Sequence, residues 1–414
     1  MDRPSRRNVL AAGGALGVVG ALSAATPAQA KSLWTWSPAG SVAGAGTGDD
    51  PAWVWDPEVD DLVGSLLDRG DVPKVNTLLR QWTKNGQALP SGLPSDVRDF
   101  VEEARRLPSW LDEGKLAAAQ NFNEKRGLYL GVIYGFVSGM MSTTIPREAR
   151  AVYYSKGGAD MRDRITKTAK LGYDVGTSNA FRPDGELIVT CVKTRLAHAG
   201  VRNLLPRSPY WTKSQPDEKI PISQADMMVT WHSLPTSVNR TLKRWKVPVD
   251  PAEGEGYLHT WQLTGHMLGI RDEYIPKSWA EAESQATQVL DPIVGPTPEG
   301  IKLADMLLNL ASFIDGAVLT KHILGALTRY TLGDQTAKWL NIPKEPLWDP
   351  VFQNLWEPFV QVREGLLSLE KAPGALQKSY WAFDEILRLG VLVLLSGAQF
   401  PISIQIPQTN NPNY

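Results

Sequence analysis

Apolar residues recur along most of the chain at helical spacing, and only one short stretch alternates with a period of two. Leu62, Leu66 and Leu67 share a face of a helix whose start the pattern places at Asp60-Asp61. Val101-Glu102-Glu103-Ala104-Arg105-Arg106 reads as a solvated helix stopped before Pro108. Two further helical segments run from Ala159 to Lys170 and from Glu186 to His198, the second followed by Gly200, a natural terminator. Pro-rich turns at 205–209 and 248–251 punctuate the pattern, and the weak alternation lies at 401–407. The mature chain reads as all-α.

Twenty residues from Gly127 to Pro146 carry no charge, which is long enough to span a bilayer. Interspersed Gly, Ser and Thr lower their apolarity, so a buried core helix is expected, with no integral membrane association. At the N-terminus, Ser5-Arg6-Arg7-Asn8-Val9-Leu10 precedes an Ala/Gly/Leu/Val run to Ala25 and the cleavage motif Ala28-Gln29-Ala30. Twin arginines ahead of a mild apolar core are the address of the Tat route, whose export machinery carries proteins already folded. Residues 1–30 are therefore expected to be a cleaved signal and 31–414 a single mainly helical domain, with an extended lead-in over 31–50. The product is expected to be secreted.

Composition narrows the chemistry. Lys plus Arg (43) nearly balances Asp plus Glu (44), so no basic excess points to nucleic acid, and a neutral or apolar partner is favoured. Cys191 is the sole cysteine, which excludes an intramolecular disulfide, thiolate metal clusters and covalent C-x-x-C-H haem attachment. A metal would need His, carboxylate, Lys or Tyr. There are five histidines: His198, His232, His259, His266 and His322.

Leu187, Cys191 and Thr194 lie within about 40° of His198 on a helical wheel, which puts the imidazole on the buried face. It either ligates a metal or satisfies a nearby carbonyl. Arg164 and Thr168 share a face flanked by Lys167, in a pattern that by itself favours an ordinary solvated helix face. Glu148 follows the uncharged segment and is either a first-turn acid or a desolvated base. His259 and His266 are seven apart and read as core packing. No Gly-x-Ser-x-Gly elbow, P-loop or dinucleotide fingerprint occurs in the mature chain, which disfavours serine hydrolases and nucleotide enzymes.

Arg147-Glu148-Ala149-Arg150, Arg164-Ile165-Thr166-Lys167-Thr168 and Thr194-Arg195-Leu196-Ala197-His198-Ala199 resemble the matching segments of the latex clearing proteins, the actinobacterial rubber oxygenases. The resemblance extends from the Arg-Arg signal to the C-terminus. It implies a globin-like helical core with additional N- and C-terminal helices, and a secreted enzyme holding non-covalent heme b. That enzyme uses dioxygen to cleave cis-1,4-polyisoprene within the chain, leaving aldehyde and ketone ends. His198 is implied as the proximal ligand and Lys167 as a distal ligand in a closed state. Arg164 and Thr168 are implied in the distal pocket, and Glu148 as the base that removes an allylic proton. A monomer is expected. The alternatives are a haem oxygenase acting on another alkene or lipid, an exported haem protein without turnover, and a scaffold without cofactor.

Overall fold

Proline and acid side chains set where the helices begin. In the computed structural model, which describes residues 36–37, 40–45, 48–217, 219–314, 320–367, 374–397 and 401–414, helix α1 spans Pro57–Arg69. Pro57 is pre-set for a helical first turn. The helix thus starts ahead of the expected Asp60-Asp61, and Asp60 falls within its first turn. The arginine signal lies outside the described residues.

Helix α2 (Glu113–Val132) is capped by the Asp112 side chain and runs into a π-helical stretch, Ile133–Ser138, and a short turn of helix ending at Ser142. The chain then bends by 86° into α3 (Pro146–Tyr154). The uncharged segment is buried in the core at Tyr129, Leu130, Ile133, Val137 and Met140, but it is broken rather than one helix. Among the described residues, no single helix is long and apolar enough to cross a membrane.

Helix α4 (Met161–Asp174) is capped by Asp160, and α5 spans Leu187–Leu204. Helix α6 (Gln224–Trp231) opens on a Ser223/Asp226 capping box, and α7 spans Pro251–Met267. Helices α8 (Trp348–Leu367) and α9 (Gly374–Ser396) come last.

The fold is all-α. Among the described residues the only strands are Gly40–Ser41 and Gly44–Ala45, an antiparallel pair with Gly40 opposite Ala45. Part of the expected lead-in is thus a tight hairpin, bridged to Pro276 through Ser41. The alternating stretch at 401–407 forms no strand. Ile404 and Ile406 are buried, and the Asn76 side chain replaces a neighbouring strand, donating to the Ile406 carbonyl and accepting from its N–H, each at 2.9 Å.

The core centres on α2 against α7. Gly256 permits that approach, because a Cβ there would lie 2.5 Å from the Lys115 carbonyl oxygen and 2.6 Å from the Ala119 nitrogen. Beside it, Phe122 and Tyr257 stack at 4.3 Å.

Helix α5 packs on α1, held by Arg202 to Asp60 (2.6 Å) and by Arg195 to both oxygens of Asp56 (2.6 and 2.8 Å). Leaving one member of a buried pair alone costs about 3–5 kcal/mol. Lys170 ties α4 to α5, donating to Asp174 and Glu186 at 2.8 Å, while Thr190 donates to Asp174 at 2.6 Å.

Gly200 does not end α5, which continues to Leu204. The glycine answers a packing demand instead, since a Cβ there would sit 2.6 Å from Pro407 Cδ and 3.2 Å from the Ile406 side chain. Gly200→Ala should destabilise the protein by about 1–3 kcal/mol through overpacking. A urea unfolding curve measures this, and an unchanged midpoint would contradict the packing role.

Candidate active site

Glu148 stands in the first turn of α3, at the positive end of that helix. The preceding residue anchors the turn. Arg147 grips Asp226 of α6 through Nε, at 3.0 and 2.9 Å, and lies over the Trp211 ring at 5.5 Å. With Arg147 committed outward to α6, the Glu148 carboxyl is turned among protein atoms. Thr230 of α6 offers it a long hydrogen bond of 3.4 Å, although the same hydroxyl reaches the Asp226 carbonyl oxygen at 3.1 Å.

Burial is the largest influence on Glu148 and pushes its pKa up to about 7. The Arg164 guanidinium opposes that rise, Asp226 adds to it, and the Thr230 hydrogen bond opposes it weakly. Arg164 projects from the first half of α4. Burial lowers its pKa and the Glu148 charge raises it. No hydrogen bond or ion pair is formed between the two side chains, so the attraction acts across a gap. Both side chains retain some accessible surface despite this depth.

His198 reaches the same neighbourhood from α5. Burial is the main reason its pKa falls to about 3, and the nearby Arg202 and Arg164 charges lower it further against the pull of Asp56. The imidazole is therefore neutral, and its Nδ1 is buried without a hydrogen-bond partner. The other four histidines are occupied. His232 pairs with Thr236 (2.9 Å) and Gln285 (3.2 Å), and His259 accepts from the Asp112 N–H (2.9 Å). His266 meets Asp272 at 2.6 Å and His322 meets Glu345 at 2.7 Å. His259 and His266 both set their edges against Trp110, as a shared helical face requires.

The structure thus places Glu148 of α3 and His198 of α5 each within electrostatic reach of Arg164 of α4. Lys167 is placed differently, with its ammonium on Asp163 one turn back at 2.6 Å, in a partly exposed pair. Thr168 is exposed and donates to the Arg164 carbonyl at 3.1 Å. Among the described residues, no three His, Cys, Asp or Glu side chains cluster as metal ligands. The residues that could hold a metal reduce to one neutral imidazole, which suits a group that brings most of its own coordination. Sequence reasoning missed Asp226 and Thr230. The Ser-x-x-Asp capping pattern at 223–226 marks the start of their helix, but its contact with α3 is non-local.

A family model described as ER-bound oxygenase mpaB/B'/Rubber oxygenase, catalytic domain, matches residues 126–362. A rubber oxygenase of Streptomyces sp. (strain K30) is 53% identical over 413 residues, covering 100% of both chains. The chain belongs to the rubber oxygenase family. A solved structure of latex clearing protein in the closed state superposes with a TM-score of 0.81 at 52% identity, covering 91% of this chain and 100% of that one. This rubber oxygenase homologue is accordingly an oxygenase enzyme, and its matched catalytic region contains every residue of the site just described.

Arg164 is the nearby cation that restrains the Glu148 pKa. Arg164→Met should therefore move that pKa further above about 7. A pH titration of the protonated-carboxyl infrared band checks this, and an unmoved or lowered midpoint would refute the coupling.

Proposed function

We propose that the protein is an exported haem b dioxygenase that cleaves the double bonds of cis-1,4-polyisoprene within the chain, leaving oligo-isoprenoids with one aldehyde and one ketone end. The observation that carries the reading is His198, a neutral imidazole with an unpartnered nitrogen, acted on by the same Arg164 charge that acts on a carboxyl of raised pKa. The rubber oxygenase at 53% identity supports the substrate class. When bound, haem supplies a redox-active iron for dioxygen chemistry.

His198 would hold that group, because a lone pair unprotonated down to about pH 3 remains available throughout the working range. Glu148 would take the allylic proton of the isoprene unit. Burial makes its carboxylate a stronger base than one in water, and Arg164 keeps enough of it ionised near neutral pH. Thr168 would steady the turn that carries Arg164 through its bond to that residue's carbonyl. Lys167 would serve as an exchangeable second ligand, after leaving Asp163 and losing its proton. The surrounding apolar core excludes water from a hydrocarbon chain.

Export through the Tat route, from the Arg6-Arg7 signal, belongs to the same proposal and suits a protein that loads its cofactor before leaving the cell. So do a single domain from residue 31 and a monomeric state.

Glu148→Gln should keep the haem absorption and lower oxygen consumption on polyisoprene by about 10²–10⁴-fold. In the parent protein kcat/KM should fall as pH drops below about 7, as the base is protonated. Near-parental turnover by the variant, or a rate flat from pH 8 to well below 7, would rule out Glu148 as the base.

A further inference from the structure

Helix α8 is amphipathic in a partly reversed sense. A surface helix ordinarily sends its apolar stripe inward and its charges to water. Here α8 turns charges inward. Arg363 donates to Asp384 of α9 at 2.6 Å and lies over the Tyr129 ring at 4.9 Å. Glu364 accepts from Arg126 at 2.7 Å and from the Tyr129 hydroxyl at 2.8 Å. Of these five residues all but Asp384 belong to α2 or α8, so buried ion pairs bolt the helical pair to the core.

The outward side carries an apolar stripe among the uncharged polar residues Gln353, Asn354 and Gln361. Leu355, Phe359, Val362 and Leu366 follow at i, i+4, i+7 and i+11, a single helical stripe, with exposures of 59%, 44%, 63% and 37%. Ile386, Leu389, Val391 and Leu394 of α9 are exposed as well. Exposed apolar residues concentrated in this way mark an interaction site.

We propose that the outward faces of α8 and α9 are the surface by which the protein adsorbs to a solid, uncharged hydrocarbon, the bulk polymer of the reading above, on which this inference rests. Charge selects the occupant. From Pro350 to Leu366 the charged side chain most open to solvent is Glu357, which pairs with Lys246. On α9 the exposed described side chains include one charge, Glu385, which accepts from Tyr173. Among the described residues, the cations bordering this face, Lys246 and Arg162, are engaged by Glu357 and by the Leu394 and Leu395 carbonyls, which gives no basic cluster for an anionic lipid surface. A neutral hydrocarbon phase asks for no charge at all.

Position agrees. Arg162 of α4 donates to the carbonyls of Leu394 (2.8 Å) and Leu395 (3.0 Å), so the apolar face borders the helix that carries Arg164. Helix α9 also lies beyond residues 126–362, the part matched as catalytic domain. Adsorption there would hold polymer beside the site without occupying it.

The test uses full-length holoprotein and two double variants, Phe359→Gln/Val362→Gln and Ile386→Gln/Leu394→Gln. Glutamine keeps helix propensity and adds no charge. Binding is read by depletion from protein-free polyisoprene dispersions, from neutral phosphatidylcholine vesicles, and from vesicles containing phosphatidylserine. Light scattering reports oligomeric state, and thermal melting reports folding. The expected result is at least tenfold weaker adsorption to polyisoprene by both variants at unchanged melting temperature, with little parental affinity for either vesicle. Undiminished adsorption by folded variants would overturn the proposal. So would a parental preference for vesicles, or a parental dimer that the variants abolish. Parental protein that adsorbs through this face yet consumes no oxygen would sink the proposed function and leave the adsorption surface standing.

Discussion

The site depends on a carboxyl and a guanidinium held in one desolvated space without touching. Direct contact would have joined them in a charge-assisted pair, as where Arg195 clamps Asp56. Separation leaves Glu148 with a pKa of about 7 and Arg164 as a distant counter-charge. That arrangement works against the fold at high pH. A carboxyl whose pKa is raised above its unfolded value contributes stability at low pH, and this is lost as pH climbs through about 7. The rest of the molecule has to hold three helices firmly enough to keep the gap.

It does so with ion pairs that lie just outside the site. Arg147 binds Asp226, Arg195 binds Asp56 and Arg202 binds Asp60, while Lys170 bridges Asp174 and Glu186. Apart from Lys170–Asp174, which lies within α4, each pair joins two different helices or a helix to its neighbour's cap, so orientation is set by directional contacts and not by apolar packing alone. The two depressed histidines act in the opposite pH direction. His198 and His232 are both held near 3, so their share of stability is present above the unfolded value of about 6.5 and lost as pH falls toward 3.

The helical character was legible because apolar spacing reports buried faces directly, as at Leu187, Cys191 and the half-buried His198. Boundaries were less legible where a residue serves a non-local purpose. Gly200 looked like a terminator, but its missing side chain makes room for Pro407, more than 200 positions away. Alternation at 401–407 looked like a strand, but its backbone is satisfied by Asn76. The same limit applies to the site. Spacing put His198 on a buried face and Glu148 beside a buried segment, yet could not reveal that four of the five histidines have partners and one has not. Asp226 and Thr230 carry no local signal for their contact with α3. Lys167 reads as part of the site only through family resemblance, and here its ammonium rests on Asp163.

The central claim is that His198 holds haem, and the absorption spectrum of the purified mature protein and of His198→Ala, each before and after dithionite, tests it most directly. The account predicts an intense Soret band in the parent, with visible bands that shift on reduction, and a large loss of that band in the variant. A parent without haem, or a variant with full occupancy and an unchanged spectrum, would contradict it.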